Sequence, residues 1–254
     1  MVRKKKSIVK EREDKINQGV EQNTRGESQK EMSKAKLKKQ QQSQFYWILG
    51  TMAGIIIVFL LVFSAIQKMN NFEYEGLSFT RERIPEFDNL IVYHHTYLLQ
   101  NRGGQLFQYN LYLRNDPREN DIPIDEGRIE FSRDREIYFS VDSSGINDCP
   151  QGILAAATLS GFLTNNLNDI TIAVPNEELA AAQNLTFADC ESVKEGEVII
   201  LQQGREETGT RVIKPESMCY IIEVTNCEVL EAVEKFMTQA IIDAKNRAEL
   251  INKN

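Results

Sequence analysis

Residues 219–244, CYIIEVTNCEVLEAVEKFMTQAIIDA, place a strand directly before a helix. The first six are rich in the β-branched and aromatic side chains that favour strands. Thr225 and Glu228 have the spacing of a capping box, and the apolar residues that follow recur three and four apart. These residues are Val229, Leu230, Val233, Phe236, Met237, Ala240, Ile241 and Ala244. The stretch therefore predicts a C-terminal amphipathic helix that packs one face against a sheet.

Strands and helices also alternate upstream of this stretch. EIYFSV (136–141) and DITIAV (169–174) have strand composition, and the apolar GILAAATLSGFLTNN (152–166) between them has helical length. Before them, NLIVYHHTYLLQ (89–100) and QLFQYNLYLR (105–114) predict a β-hairpin. We therefore expect a mixed α/β domain of the α+β class. Residues 71–127 form its β-rich part with the N-terminal hairpin region, and residues 128–254 form a strand/helix sandwich.

A long apolar run precedes this domain. Residues 45–66, FYWILGTMAGIIIVFLLVFSAI, are 22 residues without a charge. As a helix the run is about 33 Å long, which covers a hydrocarbon core of ~30 Å. A cleaved signal peptide is the alternative, but such peptides have a short basic start, whereas here 44 residues come first. We interpret the run as a single-pass signal-anchor and transmembrane helix.

The balance of basic and acidic residues differs between the two sides of this run. Residues 1–44 contain 13 Lys and Arg against 6 Asp and Glu, whereas residues 67–254 contain 17 against 31. Basic residues close to a membrane span favour the cytoplasmic side. Within 20 residues of the span, six lie before it (Arg25, Lys30, Lys34, Lys36, Lys38, Lys39) and three after it (Lys68, Arg81, Arg83). The sequence therefore predicts a cell-membrane protein with a cytoplasmic N-terminus and an extracellular domain formed by residues 67–254.

The leader, residues 1–44, has few large aliphatic side chains and cannot bury a core, so we expect a disordered cytoplasmic tail. Its basic end suits anionic lipid headgroups or nucleic acid, but control of topology by positive charge explains it more simply. The expected partner of this part of the chain is the lipid bilayer, and nucleic acid is not an expected partner.

All four cysteines, Cys149, Cys190, Cys219 and Cys227, follow the span. Exported thiols are normally oxidised, and an even number indicates pairing, so we predict two structural disulfides. Free thiols and a metal site are the alternatives. Zinc sites require closely spaced cysteines or histidines. The two histidines of this chain, His94 and His95, are consecutive and should point to opposite faces of a strand. We expect no metal and no cofactor.

The predicted elements narrow the pairing of the cysteines. Cys219 and Cys227 are about 20 Å apart if the chain between them is extended, well beyond the ~7 Å limit between disulfide-bonded Cα atoms. Cys149 and Cys227 each follow a strand and precede a helix, so neighbouring parallel strands bring them together. We therefore prefer the pairs Cys149–Cys227 and Cys190–Cys219. The alternative is Cys149–Cys219 with Cys190–Cys227.

Two further sites follow from short motifs. Asn184 begins NLT, the one N-x-S/T sequon of the chain, and it lies on the predicted outer side, which makes it a candidate for glycosylation. Gly50 and Gly54 have the G-x-x-x-G spacing that lets two membrane helices approach closely. This spacing predicts a weak homodimer through the transmembrane helix.

No motif of a known reaction occurs: the sequence has no P-loop, no G-x-S-x-G, no H-E-x-x-H and no dinucleotide fingerprint. We assign no catalytic residue and expect a binding or scaffolding domain at the cell surface with an unidentified partner. The alternative is an exported enzyme or thiol-redox protein that uses Cys149, because the start of a helix lowers a thiol pKa. The most informative observation is whether any pocket converges on Cys149, Asp142 or Arg114.

The segments YNLYLRNDPRENDIP (109–123) and CYIIEVTNCEVLEAVEKF (219–236), together with the single N-terminal span, resemble those of uncharacterised single-pass membrane proteins of small-genome archaea. The resemblance covers most of the predicted extracellular part. It implies a location in the cell membrane and supplies no catalytic residue.

Overall fold

The structure, a computed structural model, describes residues 45–252 except 69, 101–103, 126, 133–134, 167–168 and 217. The predicted disordered tail, residues 1–44, lies outside the described residues. The chain divides into two compact units after Gln67.

Helix α1, Phe45–Lys68, lies in the first unit except for its last residue, and it has 24 residues and a mean hydropathy of 2.6. No other helix among the described residues is long and apolar enough to cross a membrane. Apolar side chains such as Ile55 and Phe59 are exposed along α1, as expected of a helix whose surroundings are apolar. The prediction of one apolar helix near the N-terminus, of spanning length, is confirmed.

The second unit begins with a four-stranded antiparallel sheet, sheet A, in the order β1-β2-β3-β4. Short turns connect its first three strands. In one of them Glu75 and Gly76 both have positive φ, a conformation that glycine adopts without strain. The strands are β1 Asn71–Tyr74, β2 Leu77–Ile84, β3 Leu90–Gln100 and β4 Leu106–Leu113.

A second sheet, sheet B, has six strands in the order β7-β6-β5-β8-β10-β9, and all neighbours are parallel except β9 and β10. Its strands are β5 Ile137–Val141, β6 Ile170–Val174, β7 Thr186–Phe187, β8 Glu197–Gln203, β9 Arg211–Glu216 and β10 Cys219–Val224. The helices are α2 Ser143–Ile146, α3 Gly152–Asn165, α4 Glu177–Gln183 and α5 Val229–Asn252. The predicted α+β class, with a helix at the C-terminus, is confirmed.

Helices α3 and α5 pack against each other and contact both sheets. On one side, Phe236 of α5 meets Tyr220 of β10 with ring centroids 5.8 Å apart. On the other side, Phe162 of α3 meets Tyr109 of β4 at 6.5 Å. The two helices and the inner faces of both sheets therefore share one core.

Helix α5 is more deeply buried than an amphipathic helix on a surface. Its predicted apolar stripe is buried except for Ala244. Glu234, Thr238 and Asp243 are also buried, because sheet A and the segments next to it cover the side of the helix that faces away from sheet B. The period of the sequence correctly places the stripe but does not reveal the second covering layer.

The start of α5 differs from the capping box expected at Thr225 and Glu228. Asn226 and Cys227 have positive φ values of 52° and 60°, and they turn the chain before the helix begins at Val229. The Thr225 hydroxyl lies 3.1 Å from the Thr210 hydroxyl instead of capping the helix. The capping-box interpretation is therefore wrong, since a tight turn replaces it.

Two disulfides join parts of the second unit that are distant in sequence. Cys149 bonds Cys227 with a Cα separation of 5.2 Å, and Cys190 bonds Cys219 with a Cα separation of 5.5 Å. These are the pairs preferred from the sequence. The first disulfide joins the segment before α3 to the segment before α5, and the second ties the loop after β7 to the start of β10.

A buried carboxylate links α5 to the end of sheet A. Glu234 is 2% exposed and accepts hydrogen bonds from the backbone N–H groups of Arg114 and Asn115 at 2.6 and 3.0 Å. The Asn115 side chain donates a third at 2.9 Å. Burial raises the pKa of Glu234 to about 7, and the nearby Glu231 adds to this shift, while the three hydrogen bonds oppose it.

This shift makes stability depend on pH. A carboxyl whose pKa is raised by folding stabilises the folded state while it is protonated, and this contribution is lost as pH rises from about 4.5 through 7. Across that window we expect the wild-type free energy of unfolding to fall relative to that of Glu234→Gln by up to roughly 3 kcal/mol. Urea unfolding over a pH series measures the difference. Burial lowers the pKa of His95 and produces an opposite trend in both proteins, so the comparison cancels it.

Glu228→Gln is the matched control, because Glu228 is exposed just before α5. It should retain the wild-type slope. An identical slope in wild type and Glu234→Gln would show that Glu234 titrates in the folded protein as it does in the unfolded chain.

Candidate functional site

A cavity of about 750 Å³ lies between sheet A and helices α3 and α5. It occurs where β2 and β3 separate. Their pairing runs from Ile84 opposite Leu90 to Thr80 opposite His94 and stops there. Beyond this point β3 pairs only with β4, as far as Gln100 opposite Leu106. The space that opens between the two strands is closed on its far side by α5.

The walls of this cavity are largely apolar. Helix α5 contributes alanines at every fourth position, which lie on one face of a helix and fill little space. Larger apolar side chains come from β2, from β3, from the segment after β4 and from α3. The apolar lining residues are Leu77, Leu98, Leu99, Ile129, Phe131, Phe162, Ala240, Ile241, Ala244 and Ala248.

One histidine lines the cavity with an unoccupied ring nitrogen. His95 is 8% exposed, and its Nδ1 lies 2.8 Å from the carbonyl oxygen of Ser78. A carbonyl only accepts, so Nδ1 carries the hydrogen. Burial lowers the pKa of His95, which favours the neutral ring. Nε2 is then a hydrogen-bond acceptor, and no described residue bonds it.

A hydrogen-bonded tyrosine lies next to His95. The Tyr97 hydroxyl donates to Asn166 Oδ1 at 3.0 Å, and Asn166 Nδ2 donates to the carbonyl of Phe162 at 2.6 Å. Burial raises the pKa of Tyr97 above its usual value, so this hydroxyl stays protonated. The contact fixes the outer half of β3 to the end of α3.

Two cations belong to the lining. Lys245 Nζ donates to the Gly76 carbonyl and lies 3.9 Å from the carboxylate of Glu249. Arg247 makes no hydrogen bond or salt bridge with any described residue. No Asp or Glu is among the described residues that line the cavity. The cavity therefore combines an apolar interior with one cation, Arg247, that no described carboxylate pairs with, and a second, Lys245, that Glu249 approaches from outside the lining.

The place where α/β sheets usually bind ligands is filled in this protein. From β5 the chain continues to β6 on one side of β5, whereas β8 pairs with its other side. The strand order therefore reverses between β5 and β8, and the topological switch point lies at the C-terminal ends of these two strands. There Gly145 of α2 packs so closely on Gln203 that a Cβ would lie 2.2 Å from its Oε1. Helix α2 therefore packs directly on the end of β8 at this edge.

The cavity does not converge on the three residues named as pocket candidates from the sequence. Cys149, Asp142 and Arg114 are all absent from its lining. Cys149 is bonded to Cys227, and Asp142 accepts hydrogen bonds from the Ser144 backbone and hydroxyl at 3.1 and 2.6 Å. These groups have local structural roles.

The consecutive histidines both line the cavity but contact different residues. His94 Nδ1 lies 3.0 Å from Glu82, and its ring stacks on Tyr112 at 4.6 Å. His95 instead packs on Phe79 at 5.2 Å. No cluster of three or more His, Cys, Asp or Glu suited to a metal ion occurs in the part of the chain that the structure describes.

The remaining motifs are accessible in the structure but are not tested by it. Asn184 ends α4 with a φ of 54°, and it and the following Leu185 and Thr186 are exposed. Gly50 and Gly54 are exposed on α1, with nothing within 4 Å of a Cβ built at either. Glycosylation and helix association therefore stay predictions.

Nothing among family models, curated proteins or solved structures matches this chain. The chemistry of the cavity therefore has to be inferred from its own side chains. Sequence reasoning missed its key members, His95, Lys245 and Arg247. The signal that could have indicated it is the repeat of Ala240, Ala244 and Ala248, whose spacing of four leaves one face of α5 without bulk.

Proposed function

We propose that this protein is a membrane-anchored, disulfide-stabilised domain at the outer face of the cell membrane that binds a small molecule. The ligand occupies the cavity between sheet A and α5. The observation that carries this proposal is the cavity itself, whose volume of about 750 Å³ falls within the ~300–1,000 Å³ of ordinary ligand sites. The apolar α1, the two disulfides and the distribution of basic residues support the anchored, extracellular placement.

Packing alone gives no reason for the alanine face of α5. Burying a leucine side chain contributes roughly 1.5–3 kcal/mol, so larger residues at Ala240 and Ala244 would stabilise a domain that only needed a core. A site that must admit a ligand requires open volume at these positions. The small residues occur together with two polar groups that no described residue bonds, His95 Nε2 and the Arg247 guanidinium, and this combination favours binding over incomplete packing.

Cavity filling tests the proposal. The full chain in phosphatidylcholine nanodiscs is titrated with N-phenyl-1-naphthylamine, a neutral fluorophore that brightens in apolar surroundings. We expect saturable binding by wild type and at least roughly tenfold weaker binding by Ala244→Trp, because the indole occupies the cavity. Asn246→Trp is the control, since Asn246 is exposed on α5 and does not line the cavity.

Equal binding by the three proteins would contradict the proposal, as would no signal above that of empty nanodiscs. The thermal unfolding midpoints of the two tryptophan variants show whether either substitution disturbs the fold. The alternative of an enzyme or thiol-redox protein that uses Cys149 gains no support from an observed contact, because that sulfur is bonded to Cys227.

A weak homodimer through α1 is a second part of the proposed organisation. Gly50 and Gly54 present no side chain on one helix face, although the Thr51 hydroxyl donates to the Ile48 carbonyl of its own helix at 2.8 Å. Crosslinking of residues 40–70 in a membrane should fall severalfold in Gly50→Ile and Gly54→Ile. Ile56→Leu, which leaves the two glycines unchanged, is the control. Equal crosslinking in wild type and both glycine variants would show that this motif does not drive association.

A further inference from the structure

The charge of the cavity is opposite to that of the domain around it. Residues 67–254 carry 31 Asp and Glu against 17 Lys and Arg, yet Lys245 and Arg247 line the cavity without a carboxylate beside them in its described wall. Glu249 approaches Lys245 only to 3.9 Å and is half-exposed, so water screens this pair. Glu197 attracts Arg247 electrostatically, but it is not part of the cavity wall and forms no salt bridge with Arg247; its Oε1 accepts from the backbone N–H of Ser132 at 2.6 Å, and no described residue bonds its Oε2. The cations are therefore available to an anion.

The apolar wall of the cavity runs along the axis of α5. Ala240, Ala244 and Ala248 follow one helix face over eight residues, about 12 Å at 1.5 Å per residue. Lys245 and Arg247 lie in the C-terminal half of this stretch, whereas Phe162 and Ile129 add apolar surface to the wall. A ligand that satisfies both features has a hydrocarbon body and one charged end.

Buried polar groups of the cavity wall limit where the charged end of such a ligand can bind. His95 is more than nine-tenths buried, and its unprotonated Nε2 repels a carboxylate or phosphate oxygen. Tyr97 already donates its hydrogen to Asn166. The anionic group is therefore excluded from the His95 wall and is directed to Arg247 and Lys245.

We infer that the ligand of this cavity is an anionic amphiphile, a molecule with a hydrocarbon body and a single carboxylate or phosphate head held by Arg247 and Lys245. This inference rests on the proposed function and specifies its ligand class. The same chemistry occurs in free amphiphiles and in the headgroups of anionic lipids, and the experiment below distinguishes these two sources.

Displacement of the bound fluorophore tests the inference. Octanoate, octyl phosphate and octanol are titrated against N-phenyl-1-naphthylamine bound to the full chain in phosphatidylcholine nanodiscs. Octanoate and octyl phosphate should displace it at roughly tenfold lower concentration than octanol, the effect of one charge-assisted hydrogen bond. Arg247→Gln should reduce this preference to less than about threefold, because Arg247 is the cation that no described partner holds, whereas Lys245 already donates to the Gly76 carbonyl and lies near Glu249. Arg205→Gln, at an exposed position outside the cavity, should retain the full preference.

A wild-type protein displaced equally well by octanol and octanoate would overturn the inference while its fluorophore binding still supported the proposed function. Retention of the full preference by Arg247→Gln would also overturn it. Nanodiscs that contain phosphatidylglycerol separate the two sources. Loss of fluorophore binding in them supports a lipid headgroup as the ligand, and unchanged binding followed by displacement with octanoate supports a free amphiphile.

Discussion

Replacing Cys149 and Cys227 together with serine should lower the free energy of unfolding by about 4–5 kcal/mol, the largest single effect that we expect in this protein. The disulfide joins residues separated by 78 positions, and a cross-link that closes a long loop restricts the unfolded chain most. Cys149 is half-buried and Cys227 is exposed, so both serine hydroxyls reach water and add little penalty of their own. Urea unfolding of the full chain under non-reducing conditions measures the loss.

The second disulfide provides an internal comparison. Cys190 and Cys219 are separated by only 29 positions, for which the same relation gives about 3–4 kcal/mol. Dithiothreitol reduces both disulfides of the wild-type protein, which should then lose more stability than either double variant. A loss below about 1 kcal/mol in Cys149→Ser/Cys227→Ser would contradict a dominant stabilising role for this bond.

Phe236→Ala should destabilise the domain by about 3–5 kcal/mol. Phe236 has no exposed surface and lies between the rings of Phe131 and Tyr220, at 6.0 and 5.8 Å, in edge-to-face contact with both. The surrounding rings cannot close the resulting space, because the Tyr220 hydroxyl is held by Glu130, whose N–H donates to it at 2.8 Å. Thermal or urea unfolding gives the difference from wild type.

Phe87→Ala is the control, since Phe87 is 68% exposed and its removal should change stability by less than about 0.5 kcal/mol. Phe131 also lines the cavity, so loosening its ring in Phe236→Ala should weaken fluorophore binding at temperatures where the variant remains folded. A variant as stable as wild type would show that the three rings do not form a rigid cluster.

Local patterns in the sequence predicted the elements well. The α+β class followed from the period of α5 and from the alternation of strands and helices after residue 128. The cysteine pairs that the structure shows followed from the positions of the cysteines relative to those elements. These features depend on short-range spacing and on compartment. Such information is present in one chain without any knowledge of packing.

The candidate site depends on long-range arrangement and was therefore missed. The cavity exists because β3 continues for six residues beyond its last pairing with β2, and no residue of β3 marks that point in the sequence. Glu234 lies outside the predicted apolar stripe of α5, so the sequence period does not show that this residue is buried. The predicted capping box does not form for a similar reason, a long-range contact. The Thr225 hydroxyl hydrogen-bonds the hydroxyl of Thr210, fifteen residues away, instead of the start of α5.

On the proposed function, the separation of β2 and β3 would also affect how a ligand enters and leaves the cavity. Past His94, β3 keeps only β4 as a neighbour, and a two-stranded ribbon is marginally stable by itself. Its amide hydrogens should therefore exchange with solvent sooner than those of β8, which is paired on both sides within sheet B. Transient opening of this ribbon, restrained by the Tyr97–Asn166 hydrogen bond, would then limit ligand exchange while the rest of the domain stays folded.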